Sequence, residues 1–211
     1  MTVDVAHVFV PGLGLDGRSS ARLRELLPGR VVLLPGMGLA ASVPSLDVLA
    51  GRLVAELGEG PVVLIGHSQS CQVVAAAATD PRVAAVVLLG PTTDPRLRSV
   101  AWLAAQWLRT AVHEPLRTMP AVVAQWWRTG PRAMAALFRT AAPDRIDRRL
   151  AHVQVPVVVV RGTHDRLCPH DWAVRVATAA PRGRLVEIEG AAHMTPQTHP
   201  AEVAAVVGSS Y

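Results

Sequence analysis

The chain has 211 residues, of which 50% are hydrophobic and 18% charged, and its formal net charge is +5. This length and composition fit one well-packed globular domain and exclude a disordered chain. The basic residues are all arginines, scattered in ones and twos without interleaved aromatic side chains, so the positive charge does not indicate nucleic-acid binding.

The start of the chain predicts the cellular location. Residues 1–5 contain no basic region ahead of an apolar stretch, and no apolar run reaches transmembrane length. Two cysteines, Cys71 and Cys168, cannot build a disulfide framework and are expected to be free and buried. The sequence therefore predicts a cytoplasmic protein without membrane insertion, and it carries no signal for an oligomeric state.

Short apolar runs alternate with longer helical patterns along the chain, which is typical of βα units on a parallel sheet. The strands are nearly all apolar, as expected when helices cover both faces of the sheet. Strands are predicted at 6–10, 31–34, 62–65, 84–89, 157–160 and 185–188. Helices are predicted at 19–27, 45–57, 69–79, 170–179 and 200–207. The expected fold is α/β, with a mostly parallel central sheet.

The strand at 62–65 runs into the turn Gly66-His67-Ser68-Gln69-Ser70 and then into a helical stretch. A serine at such a strand-to-helix turn is held in strained backbone geometry and projects above the sheet edge. The usual pattern is G-x-S-x-G, and here Ser70 replaces the last glycine. We predict that Ser68 is a nucleophile.

A serine hydroxyl needs a base to take its proton and a third group to orient that base. Asp165 follows the strand at 157–160, and His193 follows the strand at 185–188. The carboxyl ends of parallel strands meet at one edge of a sheet, so Ser68, Asp165 and His193 are expected to lie together.

These motifs, in this order, resemble the α/β-hydrolase superfamily. In that family the acid often sits in a G-x-x-D-x-x-x-P loop, matched by Gly162, Asp165 and Pro169, and the base in a G-x-x-H loop, matched by Gly190 and His193. The resemblance implies the α/β-hydrolase fold and a Ser-His-Asp triad.

The oxyanion hole needs two backbone N–H groups. One is expected from Gln69, directly after the nucleophile, and similarity to the family's turn after the first strand assigns the other to Leu13. Pro11 stands where the family commonly has a histidine, which bears on the stability of that turn more than on the hole itself.

Two rival residues stay open for the triad. Asp94 follows the strand at 84–89, where some family members carry the acid. His67 precedes the nucleophile, although side chains at that position usually point away from the site. Asp165 and His193 are preferred.

Residues 94–150 interrupt the βα pattern with helical stretches, and we predict that they form a lid above Ser68. The segment holds four of the five tryptophans, which either pack the lid onto the body or line an apolar substrate pocket. The neighbouring pair His113-Glu114 could also touch substrate. The predicted substrate-binding tryptophans are Trp102, Trp107, Trp126 and Trp127.

These observations favour a serine hydrolase acting on a small or mid-sized ester or thioester through an acyl-enzyme. The same scaffold hosts other chemistry, so a lyase or cyclase that uses His193 as general base and Ser68 as a hydrogen-bonding group is the alternative. A binding protein without turnover is a third possibility. No metal or nucleotide motif is present, and no cofactor is predicted.

Overall fold

The structure, a computed structural model, describes residues 5–210, so most of the start of the chain, where no signal segment is predicted, lies outside the described residues. The main strands are β1 Ala6–Val10, β2 Gly29–Val31, β5 Val62–His67, β6 Val83–Leu89, β7 Val157–Gly162 and β8 Gly183–Ile188. These six strands pair in parallel to form one sheet in the order β2-β1-β5-β6-β7-β8. Two further short strands, β3 Leu34–Pro35 and β4 Gly38–Leu39, pair with each other.

Helices surround this sheet. The body contains α1 Ala21–Leu26, α2 Leu46–Ala55, α3 Cys71–Ala77, α8 His170–Ala179, α9 Thr195–Thr198 and α10 Pro200–Gly208. Between β6 and β7 lie α4 Val100–Ala111, α5 Met119–Thr129, α6 Pro131–Ala141 and α7 Ile146–Leu150. No helix among residues 5–210 is both long and apolar enough to cross a bilayer.

Both faces of the sheet are covered, which explains why the strands read as continuous apolar runs. Successive β5 residues point to opposite faces, so Leu64 packs in the cluster under α2, α3 and α8, whereas Val63 and Ile65 pack in the cluster under α1 and α10. Cys71 and Cys168 are free and buried, as predicted.

The prediction of one strand at 31–34 is wrong. β2 begins two residues earlier, and Leu34 belongs to the separate pair β3–β4. The cause is Gly29, which pairs with His7 so closely that a Cβ there would lie 2.5 Å from the His7 carbonyl oxygen. Only a glycine lets the chain approach β1 at this point, and the apolar pattern does not report such contacts.

The first turn after β5 is also tighter than predicted. Residues Ser68–Ser70 form a 3₁₀ turn, and α3 begins only at Cys71. This turn places the Ser68 side chain at the carboxyl edge of the sheet, on the side where the helices of residues 94–150 lie.

Candidate active site

Ser68 occupies a strained turn at the end of β5. Its φ of 56° is positive, and no other non-glycine residue among 5–210 has a positive φ. The Ser70 hydroxyl accepts a hydrogen bond from the His67 N–H at 2.8 Å and lies 2.7 Å from the Val10 carbonyl oxygen. Ser70 therefore ties the turn to β1, which accounts for a serine where the usual motif has glycine.

His193 and Asp165 form a buried pair. The His193 Nδ1 lies 2.7 Å from Asp165 Oδ2, while Asp165 Oδ1 accepts hydrogen bonds from the N–H groups of Leu167 and Cys168 at 2.8 and 3.1 Å. Burial alone would raise the pKa of Asp165, but the charge and hydrogen bond of His193 outweigh it and lower that pKa. Asp165 is thus held as a carboxylate that orients the imidazole.

Two carboxylates near His193 shift the pKa of its imidazole. Burial lowers the pKa of the imidazole, but Asp165 and, more weakly, Glu114 outweigh burial and raise the pKa above the usual 6.5. The imidazolium is therefore stabilised, as a base that takes a proton during a reaction requires.

Ser68 and His193 line the same cavity, which has a volume of about 400 Å³. The Ser68 hydroxyl lies 3.4 Å from the Thr92 hydroxyl. Gly90, at the end of β6 with a φ of 55°, lies so close to the buried pair that a Cβ there would sit 3.0 Å from both Asp165 Oδ2 and His193 Nδ1. A side chain at position 90 would therefore crowd the Asp165 and His193 side chains, and the glycine leaves room for them.

The rival residues have other partners. The Asp94 carboxylate is paired with the Arg96 guanidinium. His67 Nε2 donates to the His193 carbonyl oxygen at 3.0 Å, and burial, reinforced by the charge of His193, lowers the pKa of His67 to about 3. His67 therefore stays neutral and supports the histidine loop, and the structure brings Asp165 rather than Asp94 to His193.

The loop after β1 approaches Ser68 closely. A Cβ on Gly12 would lie 3.0 Å from Ser68 Cβ. The N–H groups of Gly14 and Leu15 are used by Gly36 and Gly12 carbonyls, and no hydrogen bond of the described residues uses the Leu13 N–H. Leu13 and Gln69 both line the cavity, and Gln69, in the first turn of a helix, has no carbonyl one turn before it to accept its N–H.

The predicted tryptophans separate into two groups. Trp107 and Trp126 line the cavity, with ring centroids 5.1 Å apart. Trp102 and Trp127 do not line it, and they are 59% and 84% exposed. Of the four tryptophans predicted to bind substrate, the structure thus brings Trp107 and Trp126 to the Ser68 cavity and leaves Trp102 and Trp127 outside it.

Residues 94–150 hold all three loops around the cavity through buried polar side chains. The Thr110 hydroxyl accepts from the Arg166 N–H at 3.0 Å, on the acid loop. Glu114 Oε1 accepts from the Met194 N–H at 2.7 Å, next to His193. On the loop after β1, Gln125 Oε1 accepts from the Asp16 N–H at 2.9 Å, and the Thr129 hydroxyl donates to the Gly14 carbonyl at 3.0 Å.

Sequence reasoning noted Glu114 as a residue that could touch substrate, and Glu114 lines the cavity. Burial raises the pKa of this carboxyl, and its Oε2 has no hydrogen-bond partner. Thr92, Thr110 and Gln125 were missed, because their partners are remote in sequence and no local pattern marks them. Among residues 5–210, no three His, Cys, Asp or Glu side chains converge in a way that could hold a metal ion.

The model of the alpha/beta hydrolase family matches residues 8–206. No curated protein sequence matches the chain.

Solved structures share the fold at low identity. A hydrolase from Oleispira antarctica, olei00960, is 15% identical with a TM-score of 0.79, covering 97% of this chain and 89% of that one. MenH from S. aureus is 16% identical with a TM-score of 0.78, covering 99% and 94%. A thermophilic esterase from Thermogutta terrifontis, with malate bound, is 21% identical with a TM-score of 0.71, covering 98% and 89%. With the family model matched over residues 8–206, the chain belongs to the alpha/beta hydrolase family.

Proposed function

We propose that the protein is a serine hydrolase that cleaves a small or mid-sized ester or thioester through an acyl-enzyme. The observation that carries the proposal is that Ser68, at a strained turn, shares an apolar cavity with His193, whose Nδ1 is 2.7 Å from Asp165 Oδ2. A nucleophile, a base and a group that orients the base are the parts that acyl transfer needs.

In the acylation step, the Ser68 oxygen attacks the carbonyl carbon of the substrate while His193 Nε2 takes the hydroxyl proton. Asp165 accepts from the Nδ1–H and stabilises the imidazolium. The N–H groups of Leu13 and Gln69 are proposed to bind the oxyanion. His193 then protonates the leaving group as the acyl bond breaks.

In the deacylation step, a water takes the place of the leaving group. His193 removes a proton from this water, which attacks the acyl carbon, and the proton returns to Ser68 as the acid departs. The cavity of about 400 Å³, with Trp107 and Trp126 in its wall, favours a short or mid-sized apolar acyl group.

Residues 94–150 are proposed to act as the lid of one hydrolase domain, because α4 and α5 supply much of the cavity wall. A cytoplasmic location is part of the proposal, supported by two cysteines that stay unpaired.

The test is intact-protein mass spectrometry after treatment with a fluorophosphonate, together with p-nitrophenyl esters of increasing chain length. A single adduct that maps to Ser68, with turnover of short esters, is the expected result. Ser68→Ala should keep the circular dichroism spectrum and lose both adduct and turnover. Labelling of that variant at another residue would contradict the assignment of the nucleophile.

One observation favours a second candidate, a lyase or cyclase. The hydrogen bond of the Ser68 hydroxyl in this structure is to Thr92, so Ser68 could act as a hydrogen-bonding group while His193 removes a proton from the substrate. Absence of any fluorophosphonate adduct in the folded protein would favour the lyase or cyclase hypothesis over the hydrolase.

A further inference from the structure

The positive charge of the protein is concentrated in one part of the chain. Residues 94–150 contain ten arginines and four carboxylates, whereas the other residues contain eleven arginines and twelve carboxylates. The segment therefore has six net positive charges, and the rest of the chain has one net negative charge. A net positive charge raises the local concentration of anions around the segment that carries it.

A groove of about 950 Å³ lies on the outer side of α4, against the acid loop. Its polar and aromatic lining comprises Asp94, Arg96, Trp102, Gln106, Arg109, His113 and Arg166. Arg96 is already paired with Asp94 and Asp171. In the described residues, Arg109 and Arg166 make no ion pair, because the one carboxylate of the lining, Asp94, is taken by Arg96, so two guanidinium groups face the groove unpaired.

Aromatic rings also line this groove. Trp102 is 59% exposed, and His113 stacks on His164 with ring centroids 4.3 Å apart. An exposed indole beside free guanidinium groups suits a ligand that combines phosphate with a flat aromatic ring, because the ring stacks and the phosphate takes paired hydrogen bonds from arginine.

The groove borders the cavity of Ser68. Leu108 lines both, and the consecutive residues Arg166 and Leu167 face the groove and the cavity respectively. A substrate could therefore place its acyl group beside Ser68 and its other half in the groove.

We propose that the groove binds a nucleotide-bearing leaving group, so that the substrate is an ester or thioester of a phosphorylated, nucleotide-containing alcohol or thiol. This inference rests on the proposed hydrolase function. For a thioester, Ser68 Oγ forms a bond to the acyl carbon, the carbon–sulfur bond breaks, and the sulfur takes the proton held by His193. Water then releases the acid, and the thiol leaves with its nucleotide from the groove.

The binding test uses products and needs no turnover. Calorimetry on the whole protein compares coenzyme A, a thiol with a nucleotide and phosphates, with pantetheine, which lacks both. Coenzyme A is expected to bind at least about tenfold more tightly, and Arg109→Ala/Arg166→Ala to remove that difference. The matched control, Arg117→Ala/Arg139→Ala, removes the same net charge from exposed positions outside the groove.

Equal affinity for the two thiols would overturn the proposal, as would equal weakening by the groove and control variants. The kinetic arm measures kcat/KM for butyryl-coenzyme A relative to p-nitrophenyl butyrate. That ratio should fall about tenfold in the groove variant and stay unchanged in the control. If neither ester is cleaved and no fluorophosphonate adduct forms, the hydrolase proposal fails, and the calorimetry still decides whether the groove binds the nucleotide.

Discussion

At the scale of single residues, the two candidate acids can be separated because only Asp165 contacts His193. Asp165→Asn should lower kcat/KM for p-nitrophenyl butyrate by on the order of 10⁴-fold, since the amide no longer holds the imidazole in the tautomer that accepts the Ser68 proton. Asp94→Asn should retain activity and lose stability, because it leaves Arg96 without its buried partner. Steady-state kinetics and urea unfolding measure both. The reverse ranking of the two variants would make Asp94 the acid.

The charge of Glu114 should affect the pH dependence of activity. The groups that act on the pKa of His193 are Asp165 and Glu114, which raise it, while His67 stays neutral. The proposed base, His193, must be neutral to accept a proton, so kcat/KM should be lost as the pH falls through the pKa of His193, which lies above its usual value. Glu114→Gln keeps an oxygen for the Met194 N–H and removes the negative charge, so the pKa falls and activity should persist to lower pH.

The control for this pH profile is Glu202→Gln, which makes the same charge change on the exposed face of α10. The pH at which kcat/KM falls on the acidic side should be the same in Glu202→Gln as in the wild type. If Glu114→Gln also leaves that pH unchanged, Glu114 acts on the loop that carries His193 only through its hydrogen bond to the Met194 N–H.

At the scale of elements, the end of β6 constrains the site through Gly90. Gly90→Ala should cost about 1–2 kcal/mol in stability from its positive φ and should lower kcat/KM on the order of 10²-fold, because the new Cβ displaces the Asp165–His193 pair. Gly190→Ala is the matched control, since its φ is 72° and a Cβ there meets nothing within 4 Å. Equal activity loss in both variants would assign the effect to backbone strain.

The sequence predicts the sheet well because its central strands β5, β6 and β7 are nearly all apolar and buried, and β1 has the predicted bounds. It misplaces β2, whose position depends on the contact of Gly29 with His7. In the candidate site, too, residues in local motifs are predicted and residues that depend on distant contacts are not. Ser68, Asp165 and His193 stand in local motifs after strands, whereas Thr110 and Gln125 act on backbone groups 56 and 109 residues away. Periodicity and turn chemistry report neighbours along the chain and carry no signal for such pairs.

At the scale of the whole molecule, the hydrogen bonds from residues 94–150 to the three loops couple this segment to the body. We expect one cooperative unfolding transition, in which tryptophan fluorescence, dominated by the four tryptophans of the segment, and far-UV circular dichroism share a midpoint in urea. Thr110→Val should lower both midpoints together, with a loss of about 1 kcal/mol in the free energy of unfolding, because it leaves the part-buried Arg166 N–H without its acceptor. A fluorescence transition that precedes the loss of circular dichroism would show that the segment unfolds separately.

The hydrogen bonds from residues 94–150 to the three loops also limit how the protein can be re-engineered. A segment transplanted from a relative brings its own acceptors, and unless these meet the N–H groups of Asp16, Arg166 and Met194, the recipient should fold its sheet and still lack an aligned site. Under the proposed function, a graft intended to alter substrate specificity must therefore also supply the acceptors that align the three loops.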